Sequence, residues 1–278
     1  MQTHRLVTLD IDRHRLEREL EIVSSFEWSE AYSNFVCGGP WLSCMLWTVG
    51  GAAGDGVVAG YDQSATVGPT PYAEQLPYLR SIVEETFRLD RLTFARLALL
   101  RPGCVIIPHR DLLELDAPLH RVHVPLVTHD GALFANETSV YRMRFGELWF
   151  FDAAEPHSAA CFSRDRIHLL LDFESTARPE DITRHASRLE DRLPLDAIVN
   201  RPPLKSAQRA TIEGLAAVLD LRNIRDIVAV VTKQNYRSDG GKDYVWSTLM
   251  RIADLAPDQE AAHAIRQMYR YFLVERAD

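Results

Sequence analysis

Residues 1 to about 175 break into short apolar runs separated by Gly, Pro, Asn and Asp. "RLVTLDI", "LSCMLWTV", "TFARLALL", "GCVIIPHRD", "RVHVPLVT", "SVYRMRF", "GELWFFDA" and "RIHLLLDF" each read as a β-strand. Strands at such short spacing, with turn residues between them, predict a sandwich or barrel. Two helices interrupt the series, "DRHRLERELEIVSSF" and "YAEQLPYLRSIVEETF". In the second, Leu79, Ile82, Val83 and Phe87 recur at helical spacing, and Pro77 inside the pattern marks where the helix can start. From residue 206 the period changes. "SAQRATIEGLAAVLD", "NIRDIVAVVTKQNY", "YVWSTLMRIADL" and "PDQEAAHAIRQMYRYFLVERA" read as consecutive amphipathic helices. The pattern divides the chain into a β domain over residues 1–178, a charged connector over 179–205 carrying Pro179, Pro194, Pro202 and Pro203, and a helical domain over 206–278.

Successive strand side chains alternate faces, so polar residues at i and i+2 project the same way. Arg166, His168 and Leu170 therefore share one face of "RIHLLLDF", and Arg121 and His123 share one face of "RVHVPLV". Arg96 lies on the face of Phe94 and Ala98. Three strands each offering a cation to one face predict a pocket for small anions, where a guanidinium finds a carboxylate partner. The plainer reading is a sheet face wetted by solvent.

The same alternation makes His109 and Asp111 of "IIPHRDLLEL" neighbours, and this is the chain's one His-x-Asp/Glu. A metal site of the two-His-one-carboxylate type needs one more, distant His and leaves coordination positions open. His157 is the candidate, in "GELWFFDAAEPHSAACF", where Gly146 starts a strand and "DAAEPH" turns after it. His120, His123, His129 and His168 compete; His120 at a strand start and His129 in the "THDG" turn are explained by solvent exposure. Ten histidines make chance pairings common, and two satisfied polar residues at strand ends remain the alternative.

Bulk properties narrow the setting. With 278 residues, 46% hydrophobic and 25% charged, the chain can bury a sizeable core. No apolar run long enough for a transmembrane helix appears, and the first twenty residues do not read as a secretory signal. Cys37, Cys44, Cys104 and Cys161 are scattered, without CxxC or zinc-finger spacing, which fits buried thiols in a reducing cytoplasm. The net charge of −8 argues against nucleic-acid binding.

Taken together, "IIPHRDLLEL", "RVHVPLV", "GELWFFDAAEPHSAACFS" and "RIHLLLDF" resemble the Fe(II)/2-oxoglutarate-dependent hydroxylases of free L-proline, the bacterial cis-4 and cis-3 types within the aspartyl/asparaginyl β-hydroxylase-like group. The match is strongest over residues 90 to 175 and weaker through "YSNF…W"; the helical tail resembles the C-terminal domain of these enzymes. The resemblance implies a double-stranded β-helix, a jelly-roll or cupin-like barrel with flanking helices, followed by an α-helical C-terminal domain. It implies Fe(II) held by His109, Asp111 and His157, with 2-oxoglutarate as cosubstrate and O2 as oxidant, and no catalytic residue beyond the metal centre. Arg166, His168, Arg121 and His123 become the 2-oxoglutarate-binding candidates, with Arg164 in the "FSRDR" turn as a rival to Arg166. Arg96, Arg121 and Trp149 become the substrate-binding candidates. The implied reaction hydroxylates a ring carbon of a free cyclic imino acid and yields succinate and CO2.

The chain departs from the family at Leu112, where an aromatic is common, and in the loop "THDGALFANETSV". Changes of this kind would admit a larger ring, so L-pipecolic acid stands beside L-proline as expected substrate. The "HRD" to "RVH" spacing is more similar to the cis-4 enzymes. The competing readings are the same chemistry on another amino acid, a cupin-like metalloenzyme without 2-oxoglutarate, and a ligand-binding barrel without turnover. The helical tail either covers the barrel, pairs two copies into a homodimer, or closes over the pocket as a lid.

Overall fold

The computed structural model describes residues 3–275 apart from 31, 58–60, 62–64, 112–118, 175, 178 and 186–191. Leu112 therefore lies outside the described residues. Among the described residues there are twelve strands: β1 (His4–Thr8), β2 (Val36–Cys37), β3 (Trp41–Val49), β4 (Val67–Pro69), β5 (Leu92–Leu100), β6 (Val105–Ile106), β7 (His120–Val127), β8 (Ala132–Asn136), β9 (Val140–Tyr141), β10 (Glu147–Phe151), β11 (His157–Cys161) and β12 (Arg166–Phe173). They form two antiparallel sheets, a major one ordered β1-β10-β7-β12-β5-β3-β4 and a minor one ordered β2-β6-β11-β8-β9. This is the jelly-roll form of a double-stranded β-helix.

Alternation along the major sheet separates two apolar layers. Leu97, Val122, Val124, Leu148, Phe150, Leu169 and Leu171 pack outward against Leu16 and Val23 of α1 (Arg13–Val23) and, beyond the short α2 (Pro71–Glu74), against Leu79 and Val83 of α3 (Pro77–Thr86). Helix α3 begins at Pro77, whose missing N–H is harmless in a first turn. Its next two amides donate to the buried Glu19 carboxylate of α1, at 2.6 and 2.8 Å, so α1 caps α3 and fixes its angle on the sheet. The opposite face of the same strands turns inward, where Leu100, Trp149 and Phe151 meet Ile106, Phe134 and Ala159 of the minor sheet.

Strands of the minor sheet differ from the sequence pattern. "HSAAC" forms β11 although Ala and Ser carry little strand preference, because its ladder to β8 and its inward side chains decide the matter. The apolar run "GCVIIPHRD" gives only the two-residue β6, since Pro108 has no N–H for a ladder. His109 then resumes the pairing in an isolated bridge to His157. "SVYRMRF" contributes two residues, β9, before turning toward Gly146. Gly146 has φ +73°, and a Cβ there would sit 3.0 Å from the Leu9 carbonyl oxygen, so the turn that launches β10 requires glycine.

After α4 (Pro179–Ile182), the tail folds into α5 (Ser206–Glu213), α6 (Ile224–Arg237), α7 (Tyr244–Leu255) and α8 (Gln259–Leu273). Its apolar residues, among them Val228, Trp246, Leu249, Ile265 and Phe272, belong to the same continuous core as Phe35, Ile107 and Phe134 of the barrel. The Trp246 indole N–H donates to the Pro108 carbonyl at 2.9 Å, and the Arg110 amide donates to the Phe272 carbonyl at 2.9 Å. The tail thus braces the segment that carries His109. Among the described residues, no helix is long and apolar enough to cross a membrane.

Candidate active site

The His109–His157 bridge brings together residues 48 positions apart, with each backbone N–H donating to the other's carbonyl at 2.9 Å. Their rings lie 4.4 Å apart between centroids. Asp111, two residues on, is held by its own amide donating to the Ala153 carbonyl at 2.9 Å. One donor atom from each of His109, Asp111 and His157 falls within 4.8 Å of the others. Asp111 Oδ1 lies 3.0 Å from His109 Nε2, and Asp111 Oδ2 lies 3.7 Å from His157 Nε2. Donors bound at right angles, each about 2.1 Å from one ion, are about 3 Å apart, so little adjustment separates this trio from a facial metal site.

The hydrogen bonds fix which ring nitrogen is available. His109 Nδ1–H donates to the Ile107 carbonyl at 2.7 Å, and His157 Nδ1–H donates to the Glu155 carbonyl at 2.9 Å. In the neutral rings each Nε2 then carries a lone pair directed at a carboxylate oxygen. Lone pair against lone pair is repulsive, and a cation between them relieves it. Burial, together with the neighbouring His109, holds the His157 imidazole down to about 3, keeping it in the neutral form that binds metals. Burial alone would raise the Asp111 carboxyl, but the Arg121 guanidinium and the two rings outweigh it and hold it well below the usual carboxylate range. The donor set of two neutral imidazoles and one carboxylate suits Fe(II).

The three cationic strands converge on the same interior, and all their cations are buried. Register explains the meeting: Leu170 pairs with Arg96 on one side and His123 on the other, and Asp172 pairs with Arg121. Arg121 Nε and Nη2 donate to the two oxygens of Asp172, at 2.6 and 3.1 Å, while Nη1 donates to Asp111 Oδ2. Two of its five N–H groups remain for a ligand. Asp172 was not singled out by the sequence reading, although it lies on the face of Arg166 and His168, two alternations beyond His168.

Arg166 is the opposite case. It is 2% exposed, its Nε and Nη1 have no hydrogen-bond partner, and its guanidinium carbon lies 4.8 Å from the centre of the Phe134 ring. Burial pushes its pKa down to about 10. Nearby, His123 and His168 approach through their Nδ1 atoms at 3.4 Å, and neither Nε2 has a partner. Burial first, then the surrounding positive charge, lowers both rings well below the ordinary histidine value. Such a group of unsatisfied buried donors fits a carboxylate. Arg164 lies exposed in the turn before β12, outside this interior.

Arg96 sits buried at the middle of β5. Its Nη2 is 3.9 Å from Asp172 Oδ2, its Nε lacks a partner, and Tyr32 and Trp41 flank it at 5.7 and 5.9 Å. These two aromatics stack on each other and supply an apolar wall that the sequence reading had not assigned to the site. Trp149 differs from Arg96 in having its polar atom satisfied. It is fully buried, stacks on Tyr141 and donates its indole N–H to Glu147 at 2.9 Å; neither residue is among those lining the inner cavity. That cavity is lined by His109, Arg121, His123, His157 and Arg166 with Trp41, Phe134, Phe151 and Leu170 among its apolar walls. A larger cavity of about 700 Å³ lies between β8, β11 and helices α7 and α8; it meets the centre at His157, and its lining carries Arg110 and Asp243 in place of the clustered Arg121, His123 and Arg166. The trio and the buried cations gather at the inner cavity. His120 and His129 are half-buried and away from it, His120 against Phe150 and His129 bonded to the Arg164 carbonyl and the Gly131 amide.

Comparison with known proteins agrees with this arrangement. Residues 12–176 match the aspartyl/asparaginyl beta-hydroxylase family, and residues 179–278 match the C-terminal region of L-proline 3-hydroxylase. An L-proline cis-4-hydroxylase of Rhizobium meliloti is 34% identical, covering 99% of this chain and 97% of that protein. Two L-proline cis-3-hydroxylases of Streptomyces are 30% and 31% identical, covering 100% and 99% of this chain and 97% and 96% of those proteins. The first match spans most of the barrel, and the second spans the connector together with the helical tail. The chain belongs to the L-proline hydroxylase family, within the aspartyl/asparaginyl β-hydroxylase group.

Proposed function

We propose that the protein hydroxylates a ring carbon of a free cyclic imino acid, L-proline before L-pipecolic acid, in a reaction dependent on Fe(II) and 2-oxoglutarate. The observation that carries this reading is the pairing, in one buried cavity, of the His109–Asp111–His157 trio with the unpartnered guanidinium of Arg166. Bound there, the iron with 2-oxoglutarate and O2 supplies the oxidising chemistry that inserts one oxygen atom and releases succinate and CO2.

The chain's own residues bind and orient. His109, Asp111 and His157 hold the metal at one face. Arg166, with His168 and His123 beside it, takes the far carboxylate of 2-oxoglutarate by charge-assisted hydrogen bonds. Arg96, helped by the N–H groups that Arg121 has left, takes the carboxylate of the imino acid, and Tyr32 and Trp41 offer apolar faces to its saturated ring. Fixing the substrate at its carboxylate presents one ring carbon to the metal face, which is positioning rather than acid–base catalysis. Trp149 supports the cavity from behind through Glu147. The buried walls of Phe134, Phe151 and Leu170 exclude water from the reacting carbon. The four free, buried thiols favour a cytoplasmic setting.

The test is an end-point assay with Fe(II), ascorbate and 2-oxoglutarate against L-proline, L-pipecolic acid and a panel of other amino acids. Succinate together with a product heavier by one oxygen atom, formed only with a cyclic imino acid, is the expected result. Turnover confined to an acyclic amino acid would remove the substrate assignment and leave the chemistry.

A further inference from the structure

Asp111 is the only metal-ligand candidate whose side chain is not steered by a backbone carbonyl. Each histidine ring is locked by its Nδ1–H, whereas the Asp111 carboxylate is held by Arg121 Nη1 alone on its Oδ2 side. A single N–H contact from a long side chain does not fix a carboxylate. What fixes this one is the other edge of the same guanidinium, clamped by Asp172 through Nε and Nη2. Asp172 is 2% exposed, stands directly across from Arg121 in the β12–β7 ladder, and belongs to a strand paired on both sides.

We propose that Asp172 is a positioning residue for the metal centre: through Arg121 it sets the orientation of the Asp111 carboxylate, keeping Oδ1 turned toward His109 Nε2. The inference rests on the metal-centre reading above and adds to it a residue that touches neither metal nor substrate. Planar fork geometry is essential, because one guanidinium must present two edges to two carboxylates at once. If Asp172 is lost, Arg121 can turn its freed edge to Asp111 and draw both carboxylate oxygens away from the metal.

The test is metal affinity, measured by calorimetric titration of Co(II) into the full-length protein, with the visible Co(II) spectrum recorded alongside. Asp172→Asn keeps the shape and removes one acceptor. The expected result is Co(II) binding weakened about 10–100-fold, the usual cost of losing an outer partner of a metal ligand, with a changed spectrum. In the double variant Asp172→Asn/Arg121→Gln, Co(II) affinity should equal that of Arg121→Gln alone, since Asp172 acts only through Arg121. A merely structural Asp172 would lower the melting temperature and leave Co(II) affinity and spectrum unchanged; that outcome overturns the proposal. So does additivity in the double variant. Where Asp172→Asn does not fold, Arg121→Lys carries the same test, because an ammonium cannot clamp both carboxylates, and unchanged Co(II) affinity there overturns the proposal equally. Absence of Co(II) binding by the wild-type protein would overturn the metal-centre reading itself, and is distinguished by that control.

Discussion

Two arginines face the same interior of the barrel about equally buried, and their surroundings could hardly differ more. Arg121, toward one end of β7, is gripped by two carboxylates, Asp172 and Asp111, which raise its pKa above the ordinary arginine value against the cost of burial. Arg166, at the start of β12, has no carboxylate on it, and burial lowers its pKa. The first arginine completes the resting protein. The second is incomplete until an anion arrives. An unpaired buried charge costs about 3–5 kcal/mol, and a fold that retains one holds it for a ligand. The difference is what supports Arg166 as the proposed anchor of the dicarboxylate.

Variants can break this comparison. The largest effect belongs to the metal side. His157→Ala should reduce succinate and hydroxylated product to the level of the enzyme-free control, while Co(II) titration shows binding lost; retained turnover would remove His157 from the centre. Next come the arginines, with effects of opposite sign on the metal-free protein. Arg121→Leu removes the guanidinium that bridges Asp111 and Asp172, leaving Asp172 only the more distant Arg96, and should cost about 3–5 kcal/mol in urea unfolding. Arg166→Leu removes an unpaired charge and should leave stability unchanged or raise it by up to about 4 kcal/mol. Equal destabilisation by both would mean that Arg166 has a partner in the resting protein after all.

The histidine pair sharpens the same point by pH. His123 and His168 have folded pKa values lowered below the unfolded value of about 6.5. Below that pH the unfolded chain takes up protons that the folded chain refuses, so stability should fall as pH drops, by up to about 1.4 kcal/mol per pH unit for each histidine. The His168→Gln variant should show a shallower slope in urea denaturation, and a flat wild-type profile between about pH 6.5 and 5 would contradict the cause given. The smallest effect concerns Trp149. Trp149→Phe frees Glu147 of one hydrogen bond and should cost about 1 kcal/mol, with the KM for the imino acid unchanged; a large KM shift would put Trp149 in the substrate pocket.

Much of the site was legible in the chain. Period-two alternation placed Arg96, Arg121, His123, Arg166 and His168 on inward faces, and His-x-Asp with a distant His marked the metal trio. Alternation gives a face, not a partner, and this is where reading stopped. Arg121 and Arg166 look alike in "RVHV" and "RIHL"; only cross-strand register puts Asp172 opposite one and the apolar Leu100 opposite the other. Asp172 itself sat unread at the end of an apolar run. Strand β11 was hidden because "HSAAC" folds by the pairing it receives from β8 rather than by its own preference. Tyr32 reaches Arg96 from a turn, where no period applies, and Trp41 from the first residue of β3, just ahead of the run "LSCMLWTV".

The measurement that bears most directly on the account is calorimetric titration of 2-oxoglutarate into the Co(II)-loaded protein, wild type beside Arg166→Leu. The account predicts one equivalent bound by the wild type and affinity at least about 100-fold weaker in the variant, as expected when a buried charge pair worth about 3–5 kcal/mol is removed. Equal affinity in the two proteins would mean that the unpartnered guanidinium is not the cosubstrate's anchor, and the central comparison would fail.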